Sequence, residues 1–191
     1  MRQRIFIVHG WGAAPDKEWF PWLVAELVPR GVDVFVPAMP DANHPQIDAW
    51  VSCLRQTVGA VRDTDIFVGH SIGCQTILRY LQNERTPARG LICVAGWFTL
   101  RNLENEEEES IAKPWVETPI DFDAVRRVAG PVTAIFSDSD PYVELSENKD
   151  IFERCLGARI IVEHNKGHFS EDNSIYELPV VLDSIIPLTI I

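Results

Sequence analysis

The chain has 191 residues, of which 46% are hydrophobic and 24% charged, a balance ordinary for one globular unit that buries its own core without metal or disulfide staples. Its 28 acidic residues against 17 basic ones leave a net charge of -11; nucleic acid and anionic membrane surfaces repel such a chain, so both are disfavoured as partners. The four cysteines stand at 53, 74, 93 and 155 with no Cys-x-x-Cys spacing, which argues against zinc and dithiol motifs and fits a reduced, cytoplasmic protein.

At the N-terminus, Arg2 and Arg4 precede the apolar run Ile5-Phe6-Ile7-Val8. The run is too short for the core of a secretion signal, which needs roughly 7–15 apolar residues, and reads instead as a first strand over 5–9. From there a short apolar run and an amphipathic stretch alternate along the chain. A helix is predicted over 17–30, a strand over 32–37, a helix over 46–61, a strand over 65–70 and a helix over 72–82. A strand over 90–95 follows. The remaining elements are a helix over 122–128, a strand over 132–136, a helix over 144–156, a strand over 158–163 and a helix over 174–186, within an apolar tail over 180–191. Most strand candidates are continuously apolar rather than alternating, the pattern of a parallel sheet covered on both faces. The alternation implies βαβ units with right-handed crossovers and a three-layer αβα domain.

Residues 97–121 break the rhythm. They carry glutamates at 104 and 106–109 and read as a solvated, flexible loop leaving the C-terminal edge of the fourth strand, the edge where such sheets bind ligands.

The sharpest chemical signal is Gly69-His70-Ser71-Ile72-Gly73 between a predicted strand and a predicted helix. A nucleophilic serine on a sharp strand-to-helix turn needs this spacing, because a Cβ at either glycine position would collide with its neighbours. Ile72 N–H then opens the helix and faces a developing oxyanion. Directly after the first strand comes His9-Gly10-Trp11-Gly12. In a sheet ordered 2-1-3-4-5-6 this loop flanks the elbow, so Trp11 N–H is the candidate second oxyanion donor, to within a residue either way.

A serine needs a base. Of five histidines, His168 lies in a loop past the last strand, after Gly167, and is favoured; His164, nearer the strand end, is its rival. A carboxylate must orient the imidazole, and Asp138 and Asp140 both lie on the loop after the fifth strand. Pro141 restricts the backbone of Asp140, but spacing alone does not separate the two. His9, Gly10, His70 and Trp97 are pocket candidates from their places at or beside strand ends.

Together with Met39-Pro40-Asp41 and Lys113-Pro114-Trp115, these motifs resemble the small α/β-hydrolases, more narrowly the family of YdeN-like and retinoblastoma-binding-protein-type serine hydrolases. The resemblance spans the chain. It implies a minimal α/β-hydrolase fold, Ser71 as nucleophile, His168 as base and the aspartate directly before proline, Asp140, as acid. The first loop departs from the family pattern, with Trp11 and Ala13 where more glycine is common.

The expected function is therefore serine hydrolysis of a small ester, a short-chain carboxylester foremost, through an acyl-enzyme on Ser71, with no cofactor or metal. An amidase or peptidase using the same residues and a hydrolase-fold protein-binding module are the alternatives. A length of 191 residues leaves no sequence for a separate lid domain, which predicts an open site and argues against a lipase working on bulky lipid.

Overall fold

Six apolar runs become six strands, and all pair in parallel. A computed structural model describes residues 2–189. In chain order the elements are β1 (Arg4–Val8), α1 (Phe20–Leu27), β2 (Asp33–Phe35), α2 (Ile47–Val58), β3 (Ile66–His70), α3 (Ile72–Leu81) and β4 (Gly90–Val94). They continue as α4 (Glu106–Glu117), α5 (Phe122–Val128), β5 (Val132–Ser137), α6 (Leu145–Leu156), β6 (Arg159–Glu163) and α7 (Pro179–Ile185). The sheet order is β2-β1-β3-β4-β5-β6, as the alternation predicts.

Strand side chains alternate between two apolar clusters. Phe6, Val8, Phe67, Leu91, Cys93 and Phe136 join Trp50, Leu54, Ile77, Val125 and Phe152 from α2, α3, α5 and α6. Ile5, Ile7, Val68, Ile92, Val94 and Ile135 join Phe20, Leu23, Val181 and Ile185 from α1 and α7. Both faces of the sheet are thus covered, which is why its inner strands carry runs of apolar residues rather than one at every second position. The result is a three-layer α/β-hydrolase fold. Among the described residues, all four cysteines are free thiols and no helix is long and apolar enough to cross a membrane.

Several expected elements change in extent. The first helix begins at Phe20 rather than 17, because Glu18 adopts φ 59° and Pro21 occupies the first turn; the 28–30 stretch becomes a 3-10 turn. The helix expected over 46–61 stops at Val58, where Gly59 turns at φ 64°. The one expected over 174–186 starts only at Pro179, after a 3-10 turn over Glu171–Asn173 that ends on left-handed Ser174. Ile190 and Ile191 of the expected tail lie outside the described residues.

The largest correction concerns the acidic segment. It is a helix, α4, of 12 residues rather than a flexible loop. The Asn105 side chain accepts the Glu108 N–H (3.0 Å), and the Glu108 carboxylate reaches back to Glu104 N–H (2.7 Å). Both bonds satisfy otherwise orphaned donors. The four glutamates of the first turn face the positive end of the helix dipole, which favours them there. Trp115 anchors the other end: its ring is buried, and its Nε1–H donates to Pro45 O (3.0 Å).

Candidate active site

The turn from β3 into α3 places Ser71 at φ 53°, ψ -123°, a conformation that costs a non-glycine residue of order 1–3 kcal/mol. The surroundings impose it. Ser71 N–H donates to Val94 O (2.8 Å) and Ser71 O accepts from Cys74 N–H (3.0 Å). A Cβ on Gly69 would lie 2.7 Å from Cys74 N, and one on Gly73 would strike the Val8 carbonyl oxygen. The two glycines therefore allow α3 to start directly against β1 and β3, which leaves the Ser71 side chain at the C-terminal edge of the sheet. Ile72 N–H is the first amide of α3, one of the four that have no acceptor within a helix.

Loops after β5 and β6 deliver the other two groups. His168 Nε2 lies 2.9 Å from Ser71 Oγ, and His168 Nδ1 lies 2.7 Å from Asp140 Oδ2. The Asp140 side chain is only 2% exposed and that of His168 16%. Asp140 Oδ1 accepts the N–H groups of Tyr142 (2.9 Å) and Val143 (3.1 Å), a local turn that leaves Oδ2 facing the imidazole.

The rivals pair with each other instead. His164 Nδ1 meets Asp138 Oδ2 at 2.5 Å, and Asn165 N–H also donates to Asp138. These bonds hold the Asp138 carboxyl below its usual pKa and, from the Asp138 side, raise that of His164. The pair is open to solvent, with the His164 side chain 79% exposed.

The His168 loop is fastened by residues that sequence reasoning missed or read differently. Asn173 Oδ1 accepts His168 N–H (2.8 Å). Gly167 turns at φ 53°, with the Asn173 side chain where a Cβ would stand. Ser137 Oγ accepts Lys166 N–H (3.1 Å) and Ser139 Oγ accepts Gly167 N–H (3.1 Å), which ties the two loops together. His70 Nε2–H donates to His168 O (2.8 Å). Burial, with the His168 ring nearby, pushes the His70 pKa down to about 3, so His70 is a neutral support beneath the imidazole.

His9 is not among the residues that line the pocket. It is buried; its Nε2 accepts Met39 N–H (3.0 Å), which leaves Nδ1–H to donate to Gly10 O (2.8 Å). It therefore shapes the loop after β1 from below. Gly10 does reach the site: a Cβ there would stand 3.4 Å from Ser71 Cβ and 3.0 Å from His70 Nδ1. The neighbouring Trp11 ring is held by its Nε1–H on Asn43 O (2.8 Å). Trp97 comes closer than a pocket wall, since its indole Nε1–H donates to Ser71 Oγ (3.3 Å).

These groups open onto a cavity of about 660 Å³. Trp11, Trp97, Leu100, Leu103, Ile111 and Tyr142 supply apolar surface, and Tyr142 stands edge-on to the His168 ring. The acidic lining groups are Glu18, Glu104, Glu107, Glu108 and Asp172, with no lysine or arginine among the described residues that line it. Burial and the charges of Glu171 and Asp172 raise the Glu18 carboxyl to about 7. The first turns of α4 form one wall, so the site is less open than the chain length suggests.

The hydrogen-bond partners set the direction of the proton chain. A carboxylate only accepts, so His168 Nδ1 carries the proton toward Asp140 and Nε2 is the acceptor. An indole N–H only donates, so Ser71 Oγ accepts from Trp97 and has its own proton left for His168. With the imidazole neutral, Nε2 is then the acceptor that faces the Ser71 hydroxyl.

A family profile described as serine hydrolase matches residues 5–185. The chain is 30% identical to YdeN of Bacillus subtilis (strain 168) over 186 residues, 96% of this chain and 94% of YdeN. The crystal structure of the B. subtilis ydeN gene product superposes with a TM-score of 0.88 at 27% identity, covering 97% of this chain and 98% of that one. More distant solved structures share the fold. Est1E of Butyrivibrio proteoclasticus has a TM-score of 0.70 at 14% identity, covering 97% of this chain and 89% of its own. A structure from a study of carboxylesterases of Nitrososphaera gargenis has 0.71 at 11%, covering 98% and 91%. By sequence profile and by its full-length similarity to YdeN, the chain belongs to the serine hydrolase family.

Proposed function

We propose that Ser71, His168 and Asp140 form a catalytic triad that hydrolyses small, uncharged carboxylesters through an acyl-enzyme. The observation that carries this reading is the continuous chain from Asp140 Oδ2 through both ring nitrogens of His168 to Ser71 Oγ, at 2.7 and 2.9 Å. His168 Nε2 takes the proton of Ser71 as Oγ attacks the carbonyl carbon. Asp140 holds the ring in the required tautomer and bears against the imidazolium. The tetrahedral oxyanion falls to Ile72 N–H, at the positive end of α3, and to Trp11 N–H in the loop that packs on Ser71. One such donor contributes about 3 kcal/mol to the rate. His168 then returns the proton to the leaving alcohol and activates a water to release the acid.

Cavity size and lining favour a small ester. A volume of about 660 Å³ is within the range of small-molecule sites, and the apolar side chains suit an uncharged acyl group. The carboxylates of Glu104, Glu107, Glu108 and Asp172 in the lining repel an anionic one. A panel of p-nitrophenyl esters from acetyl to octanoyl, with matching anilides, tests the reading. Short neutral esters are expected to turn over fastest, and anilides at least about a hundredfold more slowly, since an amine leaves far less readily. Turnover of the anilides alone would make the protein an amidase. An ester with an anionic acyl group, such as a hemisuccinate, should be slower than a neutral ester of its size, with the gap narrowing as salt screens the acids. A rate ratio indifferent to ionic strength would remove the acids from substrate choice.

A further inference from the structure

The loop after β4 is built to aim one side chain. Ala95 adopts φ 46° while its N–H donates to Ile135 O (2.9 Å). Gly96 packs so closely that a Cβ would lie 2.6 Å from Phe152 Cζ and 3.2 Å from Cys74 Cβ. The chain then presents Trp97, 1% exposed, with its indole Nε1–H on Ser71 Oγ.

Buried polar groups hold it there. Trp97 O accepts from Gln75 Nε2 (3.0 Å), and Gln75 Oε1 accepts from Arg79 Nη2 (2.9 Å). Arg79 also donates to the carbonyls of Trp115 and Thr118 (2.9 and 2.8 Å) at the end of α4. On the other side, buried Asn148 accepts the N–H groups of Phe98 (2.7 Å) and Thr99 (3.1 Å).

We infer that Trp97 is a further catalytic residue, whose indole N–H acts on the nucleophilic oxygen itself, separately from the two oxyanion donors. The inference rests on the proposed triad. As the Ser71 proton passes to His168 Nε2, the electron pair of the broken O–H bond accumulates on Oγ before the bond to the carbonyl carbon is complete. Trp97 N–H faces that charge. In deacylation the bond from the acyl carbon to Oγ breaks, Oγ takes back the pair, and His168 returns the proton; the same N–H faces the same charge. A bond of 3.3 Å is long for a neutral pair, and such contacts tighten when the acceptor becomes charged. Because the indole never accepts, it also keeps the Ser71 hydroxyl from turning away from His168.

Two variants test this. Trp97→Phe removes the donor together with part of the ring. Site-specific replacement of Trp97 by 3-benzothienylalanine puts sulfur in place of the N–H and keeps the shape. Both are expected to lower kcat on a short neutral ester by about tenfold, the worth of one hydrogen bond to a partly charged atom, with KM within about twofold. The rate of phosphonylation by a fluorophosphonate should fall in parallel. The analogue should leave the melting temperature unchanged, which separates the chemistry from packing if Trp97→Phe folds poorly. A folded analogue protein with wild-type kcat would overturn the role of Trp97. If that result came with an inactive Ser71→Ala protein, the triad would stand; full activity in Ser71→Ala would remove the triad and this inference with it.

Discussion

Ser71→Ala is expected to lose about a millionfold in kcat, leaving only the slow background that binding and the oxyanion donors provide. The protein should still fold. The substitution keeps a Cβ at the strained position, so the backbone cost at φ 53° is unchanged. The structural losses are the acceptor for the buried Trp97 N–H, worth about 1–3 kcal/mol, and the hydroxyl partner of His168 Nε2. Ester turnover and thermal melting measured on the same preparation separate these effects. Full esterase activity at equal purity would place the nucleophile elsewhere.

Asp140→Asn should be nearly as damaging, with kcat falling about 10⁴-fold. Asparagine fits the same buried space and can still accept from Tyr142 and Val143 N–H through its carbonyl oxygen. Its amide nitrogen then faces His168 Nδ1 and favours the tautomer in which Nδ1 accepts and Nε2 carries the proton. That tautomer cannot deprotonate Ser71. Asp138→Asn, two residues away, should keep kcat within about threefold, because its pairing with His164 is exposed and contacts of that kind contribute little. Steady-state kinetics on the two variants side by side decide the assignment. A larger loss in Asp138→Asn than in Asp140→Asn would reverse it.

Much of the fold was legible because the strands declare their burial. Runs such as Ile5 to Val8 and Leu91 to Val94 are apolar at every position, which only a doubly covered sheet requires. Parallel pairing then sends every β-to-α loop to one edge, so the order of motifs along the chain already placed Ser71, Trp97, Asp140 and His168 together. The second helical layer was less readable at α4. Read as charge, residues 106–109 suggest a solvated loop; read with Asn105 and Glu108, they are a capped helix start. The cap was the signal, and it lies in ordinary residues at a spacing of three.

The site's supports were legible only in part. Asp138 and Asp140 share a loop and an alternation phase, and spacing did not separate them; the local turn in which Asp140 accepts Tyr142 and Val143 N–H does. His9 looked like a pocket group from its place at a strand end. Its side chain lies beneath the loop, because Met39 N–H claims its Nε2. Ser137 and Ser139 hold the His168 loop across chain separations that no local pattern encodes, and Asn173 holds it from five residues further on.

His168 is expected to make Ser71 an activated nucleophile, and intact-mass and peptide mass spectrometry after treatment with a fluorophosphonate read this out. One adduct per chain, located on Ser71, absent in Ser71→Ala and formed at least about a hundredfold more slowly in His168→Ala, is the predicted result. A wild-type protein that stays unmodified at Ser71 while hydrolysing esters, or a label that forms on Ser71 at the same rate without His168, would contradict it.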